Sequence, residues 1–180
     1  MSYYIGRISR AEANLHISEF HRHHGPVRAS FFQIGAFRKT QAPELTELTE
    51  FVGCVVVGRP NARAICDRFT SEVTRLCVRA GHFNVCSMLL GAAWRACKAM
   101  GDQRLISYVR HDESGSCYRA SSWSPCAITK ARKWNSERRK QTSLPGVLLE
   151  STESVPRVRW EIHRDKRAQM NAEIVLPAIP

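Results

Sequence analysis

An arginine and a glutamate inside an apolar stretch are the first residues that could do chemistry. Residues 72–78 alternate in polarity, which predicts a strand with Val73, Arg75 and Cys77 on one face and Glu72 on the other. Burying an arginine among apolar side chains is costly unless its charge is paired. Arg75 is therefore predicted to hold a phosphate, a substrate carbonyl or an acidic side chain of a neighbouring strand. Glu72 is a weaker candidate, as a general base.

The segment after this strand has the pattern of a short loop followed by a helix. From Asn84 the apolar residues recur at helical spacing, and Gly101 follows the last predicted turn. Asn84 is a favourable N-cap, and Ser87 could direct both its hydroxyl and its N–H at an anion, or could simply allow close packing. A helix N-terminus presents unpaired N–H groups and a partial positive charge. We therefore expect a phosphate-bearing cofactor at Asn84, Val85, Cys86 and Ser87.

Three imidazoles form a second candidate group. His21, His23 and His24 stand directly before Gly25 and Pro26, where a helix is predicted to end. They could relay protons, contact phosphate or bind a metal. A metal site is disfavoured because no acidic or cysteine partner lies at ligand spacing, so no metal ligand is predicted. The alternative is an exposed helix end without a function.

The charge balance favours a polyanionic partner. The 180 residues carry a net charge of +11 with a pI near 9.8, and residues 130–167 hold eleven Lys/Arg against five Asp/Glu, a net of 11 − 5 = +6. Such a balance suits nucleic acid, with Trp134 and Trp160 available to stack on an unpaired base. A base in duplex DNA would have to be extruded to reach a cleft. The alternatives are a basic solvated surface and a basic strand that covers a sheet edge.

The cysteines and the hydropathy favour a cytosolic protein. The seven cysteines form no C-x-x-C pair, which favours reduced and mostly buried thiols. No secretory signal is visible, and the longest apolar stretch, residues 51–58, is too short to span a bilayer. We therefore expect no membrane partner. The oligomeric state, monomer or homodimer, is left open.

The elements around these candidates form an alternating pattern. A strand at residues 3–8 precedes a helix with the capping box of Ser9 and Glu12. Polar residues 38–50 are predicted to form a loop or a hairpin turn before a buried strand at 51–58. Residues 104–110 predict a strand parallel to the one at 72–78, since a helix connects the two. Residues 1–130 are predicted to be the core domain, and residues 131–180 a basic extension that packs on it or extends it.

This order of elements resembles the GNAT superfamily of N-acetyltransferases. The strand RLISYVR followed by SGSCYRASSW is similar to the family's fifth strand, short helix and aromatic. EVTRLC followed by NVCSMLLGAAWR is most similar to small phage and prophage members related to the Mom DNA-modification acyltransferases. The resemblance covers about residues 3–130. It implies an α/β (α+β) fold with a mixed, largely antiparallel sheet, flanked by helices, whose central parallel strand pair splays at the cofactor site.

The resemblance also implies roles for particular residues. The cofactor would be acetyl-CoA or another acyl-CoA, with its carbonyl near the backbone of Leu76, Cys77 and Val78. Tyr118 would protonate the departing thiolate, and a phenol pKa of about 10 suits that task; the alternative is a tyrosine that only packs on the helix. Tyr108 and the histidine cluster would line the acceptor cleft. One departure is that the family's glycine-containing phosphate turn corresponds here to residues 83–87, which contain no glycine.

These expectations lead to one function with two alternatives. The first is an acyltransferase of the bacterial host cytoplasm that acylates a nucleobase amine in DNA. The second is the same chemistry on a protein or a small amine, with the charge serving solubility or an acidic partner. The third is a non-catalytic nucleic-acid-binding or inhibitor-type protein on a decayed scaffold, which the glycine-free turn motivates.

Overall fold

The computed structural model describes residues 2–21, 24–41, 47–130 and 155–176. The strands are β1 (Ser2–Arg7), β2 (Phe32–Gln41), β3 (Glu47–Gly58), β4 (Thr70–Val78), β5 (Arg104–Arg110), β6 (Ser124–Thr129) and β7 (Arg157–His163). The helices are α1 (Arg10–Phe20), α2 (Val85–Ala99), α3 (Ser116–Ala120) and α4 (Lys166–Ala172). The strand–helix–strand unit β4–α2–β5 lies where the sequence predicts it.

The strands form one seven-stranded sheet in the order β1-β2-β3-β4-β5-β7-β6. Every neighbouring pair is antiparallel except β4 and β5, which are parallel. Parallel strands need a crossover connection, and α2 provides it. The result confirms the predicted mixed, largely antiparallel sheet with one central parallel pair.

The helices α1 and α2 cover opposite faces of this sheet. On the α2 face, Leu89, Leu90 and Trp94 pack with apolar residues of β3, β5 and β7. On the α1 face, a smaller cluster joins Ala13 and Ile17 to the strands. The predicted capping box starts α1: the Ser9 hydroxyl accepts from the Glu12 N–H at 3.2 Å, and the Glu12 carboxylate accepts from the Ser9 N–H at 2.7 Å. The capping box thus sets where α1 begins, and the apolar faces of α1 and α2 hold the two helices on the sheet.

A β-bulge in β4 corrects the predicted strand faces. Arg75 pairs with Val56 and Val73 pairs with Val57, so Thr74 is an extra residue in the ladder. The extra residue reverses the alternation. Val73 therefore packs on the α2 face, whereas Arg75 and Cys77 lie on the α1 face. The prediction that all three share one face was wrong because alternation assumes an uninterrupted ladder.

The polar stretch at residues 38–50 is also not the predicted loop. Arg38 pairs with Glu50 and Lys39 with Thr49, so β2 and β3 continue through it as strands. Lys39 and Thr49 are exposed, and Arg38 and Glu50, each partly exposed, form a salt bridge at 2.5 Å. Between β3 and β4 the chain forms a 3-10 turn at Arg63–Ile65.

The C-terminal strand β7 lies inside the sheet, between β5 and β6. Trp160 of this strand is 1% exposed and packs in the α2-face core. The prediction that Trp160 stacks on an unpaired base was therefore wrong, because neither face of its ring is accessible. Trp134 lies outside the described residues, and the division into residues 1–130 and 131–180 stays a prediction.

Candidate functional site

The parallel pair opens into a cavity. β4 and β5 are paired only from Thr70 opposite Arg104 to Val73 opposite Ser107, although both strands continue beyond this point. The gap between them is a cavity of about 490 Å³. Because the gap cuts through the sheet, its wall includes residues from both faces. The α1-face and α2-face parts of this wall differ in chemistry.

On the α2 face the central residue is Tyr118. Its hydroxyl lies 2.8 Å from the Ser107 hydroxyl, and its ring stacks on Trp160 and meets Trp123 edge-on. Burial raises the pKa of Tyr118, so the phenol holds its proton at neutral pH. A positive φ of 61° at Gly115 starts α3, and a Cβ there would collide with the Trp160 ring. The position therefore requires glycine, and the tight contact fixes Tyr118 at the cavity wall.

The first turn of α2 borders the same side of the cavity. Asn84 precedes the helix as predicted, but its backbone is left-handed, with φ of 64°, and its side chain makes no capping bond. Side-chain capping needs an extended backbone at this residue, so the predicted Asn84 cap was wrong. The Ser87 hydroxyl donates to the Asn84 carbonyl at 2.9 Å, so it is engaged within the turn rather than directed at an anion.

Backbone amides remain available at this helix start. The first bond within the helix runs from the N–H of Met88 to the Asn84 carbonyl, at 3.0 Å. The amides of Val85, Cys86 and Ser87 precede it and so have no acceptor within the helix. Cys86 lines the cavity, whereas Asn84, Val85 and Ser87 do not. Leu76, Cys77 and Val78, predicted as cofactor contacts, line it from β4.

Two thiols meet at this helix start. Cys86 and Cys117 are hydrogen-bonded to each other and both line the cavity. The bond from Cys117 lowers the pKa of Cys86, and it raises the pKa of Cys117, as does burial. All seven cysteines are free.

On the α1 face the wall is cationic and polar. The Arg75 Nε donates to the Gly25 carbonyl at 3.0 Å and its Nη1 to the Thr74 carbonyl at 2.6 Å. Burial lowers the pKa of Arg75, and the charge of Arg157 lowers it further. The structure brings the predicted Tyr108, His21 and His24 to this wall, together with two arginines that sequence reasoning missed, Arg110 and Arg157.

The remaining predicted residues lie elsewhere. Glu72 does not line the cavity: it is 5% exposed, and its two oxygens accept from the Asn61 backbone N–H and side-chain amide, each at 2.8 Å. Burial raises the pKa of Glu72, and the Asn61 bonds oppose that shift. His23 lies outside the described residues. Among the described residues, no three His, Cys, Asp or Glu side chains are grouped closely enough to hold a metal ion.

Some missed residues had a signal in the sequence and others had none. Ser107 is a hydroxyl in the otherwise apolar centre of β5, a pattern that could have marked it as a partner for Tyr118. Arg110 and Arg157 are 47 residues apart in the chain and meet only through the β5–β7 register. No local sequence pattern indicates such a pairing. In the part of the chain that the structure describes, no helix is long and apolar enough to cross a membrane.

Solved acetyltransferases share this architecture. The ribosomal-protein-S18-alanine N-acetyltransferase from Escherichia coli is 8% identical, with a TM-score of 0.58 over 97% of this chain and 96% of that chain. An IAA acetyltransferase from Bacillus cereus ATCC 14579 is 12% identical, with a TM-score of 0.57 over 90% and 99%. A GNAT family acetyltransferase from Elizabethkingia anophelis, solved with acetyl-CoA bound, is 12% identical, with a TM-score of 0.50 over 89% and 97%. The chain therefore has the GNAT fold.

Within that fold the family can be stated. The chain belongs to the Mom protein family, whose model matches residues 2–172. The match confirms the resemblance found in the sequence and extends it past residue 130 into β7 and α4. No match was found among the curated proteins.

Proposed function

We propose that this protein is an acyl-CoA-dependent N-acyltransferase that modifies a nucleobase amine in DNA. One observation carries the proposal: the gap between β4 and β5 is a single cavity, which is lined by Tyr118 and by Cys86 of the first turn of α2 on one sheet face and has a cationic wall on the other. An acyl donor and an amine acceptor can then approach the same point from opposite sides. Membership of the Mom family and the net charge of +11 support DNA as the acceptor.

The α2 side fits an acyl-CoA. The amides of residues 85–87 precede the first intrahelical bond, so they can face a pyrophosphate without glycine in the turn. The Elizabethkingia anophelis neighbour of the same fold has acetyl-CoA bound. When bound, the cofactor supplies a thioester whose acyl group is transferred to the amine. The unpaired edge of β4 at Leu76, Cys77 and Val78 offers backbone donors to polarise a carbonyl.

Tyr118 is the proposed proton donor to the leaving sulfur. The raised pKa keeps the Tyr118 hydroxyl protonated at neutral pH, so its proton is available to the sulfur as the carbon–sulfur bond breaks. The Ser107 hydroxyl lies 2.8 Å from the phenol oxygen and holds that oxygen in position. Arg75, Tyr108, His21 and His24 are proposed to position the acceptor from the other face.

The proposal predicts a modified nucleoside that depends on Tyr118. Nucleosides from DNA of cells that express the chain should show an added mass by mass spectrometry. Tyr118→Phe should lower the rate of adduct formation by about 10²–10⁴-fold, the usual contribution of a general acid. Tyr4→Phe, whose hydroxyl contacts Thr49 far from the cavity, is the matched control and should leave the rate unchanged. Unmodified DNA from cells with folded wild-type protein would refute the DNA acceptor.

Donor binding is tested separately. A CoA thioester at 100 times its dissociation constant should add about 2.7 kcal/mol to the free energy of unfolding. The Tyr118→Phe variant should keep this stabilisation, because its hydroxyl is proposed to act on the leaving group rather than to bind the donor. Absence of stabilisation in the wild type would favour the alternative of a non-catalytic nucleic-acid-binding protein.

A further inference from the structure

Three arginines from three separate strands converge on the acceptor wall of the cavity. Arg75 comes from β4, Arg110 from β5 and Arg157 from β7. Glu113 is the one carboxylate among the described residues that line the cavity. The formal charges of the three arginines and this glutamate therefore sum to 3 − 1 = +2. The charge of Glu113 acts on Tyr118, at the other side of the cavity. The acceptor side is therefore the more positive side.

The strand register places two of these cations against each other. Arg110 and Arg157 are direct cross-strand partners, so both side chains leave the same face of the sheet. Like charges in this position destabilise a strand pair. The pKa of Arg157 is lowered by burial and by the charge of Arg110, and that of Arg75 by burial and by the charge of Arg157. An anion at this wall would reduce the repulsion between the two guanidinium groups.

Nearby carboxylates are already engaged. Glu72 acts electrostatically on Arg75 and Arg157, but its oxygens accept from Asn61 at 2.8 Å. Asp112 pairs with Arg110 through two bonds, of 3.0 and 2.6 Å. Asp112 holds the guanidinium group of Arg110 in place and offsets its charge, and Glu72 acts on the other two arginines from outside the cavity. Guanidinium groups are suited to phosphate because their planar forks match two phosphate oxygens.

We propose that Arg75, Arg110 and Arg157 form a phosphate subsite that takes a backbone phosphate next to the nucleotide whose base is modified. The inference rests on the proposed function, in which DNA is the acceptor. It assigns Arg110 and Arg157 as substrate-binding residues. A phosphate held on the α1 face leaves the adjoining base free to enter the gap towards the Tyr118 side.

The test measures oligonucleotide binding to protein saturated with CoA, so that the donor side is blocked. Fluorescence anisotropy of a short single-stranded oligodeoxynucleotide is recorded over a series of salt concentrations. Arg110→Gln and Arg157→Gln should each raise the dissociation constant about tenfold and make the log–log salt slope shallower by about 0.7, the value for one phosphate contact on a single strand. Arg95→Gln, at an exposed position of α2, removes the same charge outside the cavity and is the matched control.

A second arm identifies the phosphate source. Oligonucleotides that carry one neutral methylphosphonate linkage, moved along the chain, should bind the wild type about tenfold more weakly at one position. At that position the Arg157→Gln variant should show no further loss, because the contact is already missing. Inorganic phosphate at the oligonucleotide concentration should not compete. Competition by inorganic phosphate with no methylphosphonate effect would assign the arginines to a free anion and overturn the proposal.

The failure of this proposal and that of the proposed function are distinguishable. If Arg110→Gln and Arg157→Gln bind the oligonucleotide with the affinity and salt slope of Arg95→Gln, the subsite is refuted, while adduct formation by the wild type still supports the enzyme. If the wild type forms no adduct and CoA does not stabilise it, the enzyme is refuted instead. Arg157→Lys keeps the charge without the planar fork, so it should recover part of the affinity. This variant also tests the subsite if Arg157→Gln folds poorly.

Discussion

The two ends of the β5–β7 pair carry similar side chains in opposite electrostatic arrangements. At the end where β5 begins, Glu161 is 1% exposed and is surrounded by bases. Its oxygens lie 2.6 Å from Arg159 Nε, 2.7 Å from His163 Nε2 and 3.6 Å from Arg104 Nη1. Burial alone would raise the pKa of Glu161, but the hydrogen bond from His163 and the charges of Arg159 and Arg104 leave it below its ordinary value. This end is internally compensated.

At the other end of the same strand pair, arginine faces arginine. Arg110 and Arg157 are cross-strand partners at the cavity, and Arg75 of β4 joins them. The pKa of Arg75 and that of Arg157 are both lowered, first by burial and then by a neighbouring arginine. The strand pair thus has a carboxylate surrounded by bases at one end and two like charges as cross-strand partners at the other.

The difference separates a structural cluster from a binding site. A buried ion pair resists removal of one partner because the remaining charge is left uncompensated. A group of like charges gains from an external counter-ion and loses little when one member is removed. Substitutions at the two ends should therefore change the free energy of unfolding in different directions.

The largest effect on stability is expected at the compensated end. Glu161→Gln should lower the free energy of unfolding by about 3 kcal/mol, because it leaves Arg159 and Arg104 without their shared carboxylate. For a chain of 180 residues the melting temperature should fall by about 10 °C, as measured by calorimetry or circular dichroism. The control is Glu173→Gln, at the exposed residue that follows α4, and it should lower the free energy of unfolding far less. A fall below about 1 kcal/mol would mean that Glu161 is not the centre of this cluster.

An intermediate effect is expected on acidification. A carboxyl whose pKa is lowered on folding contributes stability above its unfolded pKa of about 4.3, and this contribution is lost as the pH falls through the lower folded value. The wild type should therefore lose stability from about pH 5 downwards. In denaturant titrations at several pH values, Glu161→Gln should show a shallower fall over this window. Identical pH profiles for the two proteins would contradict the assignment.

The sequence predicts the local parts of this molecule better than its long-range contacts. The capping box of Ser9 and Glu12 and the bounds of β5 depend on neighbouring residues, and both agree with the prediction. The polar pattern at residues 38–50 failed because the pairing of β2 with β3 outweighs local propensity.

The candidate site shows the same division. Tyr118 was predicted from the resemblance and Cys86 from the pattern of a helix start, and both line the cavity. The bulge at Thr74 turns Arg75 to the α1 face. It depends on the register with β3, so the alternating sequence of β4 alone does not indicate it. The pairing of Arg110 with Arg157 depends likewise on a strand that arrives from the far end of the chain.

The smallest effect on stability, and the opposite sign, is expected at the arginine end. Arg157→Gln removes a charge that faces Arg110, so the free energy of unfolding should stay the same or rise by up to about 0.5 kcal/mol. Denaturant unfolding in low salt measures the change, and added salt should reduce the difference from the wild type because it screens the repulsion. The conservative Arg157→Lys keeps the charge and should show no gain. A loss of several kcal/mol in Arg157→Gln would show that the other interactions of Arg157 outweigh its repulsion from Arg110, and the contrast between the two ends would then disappear.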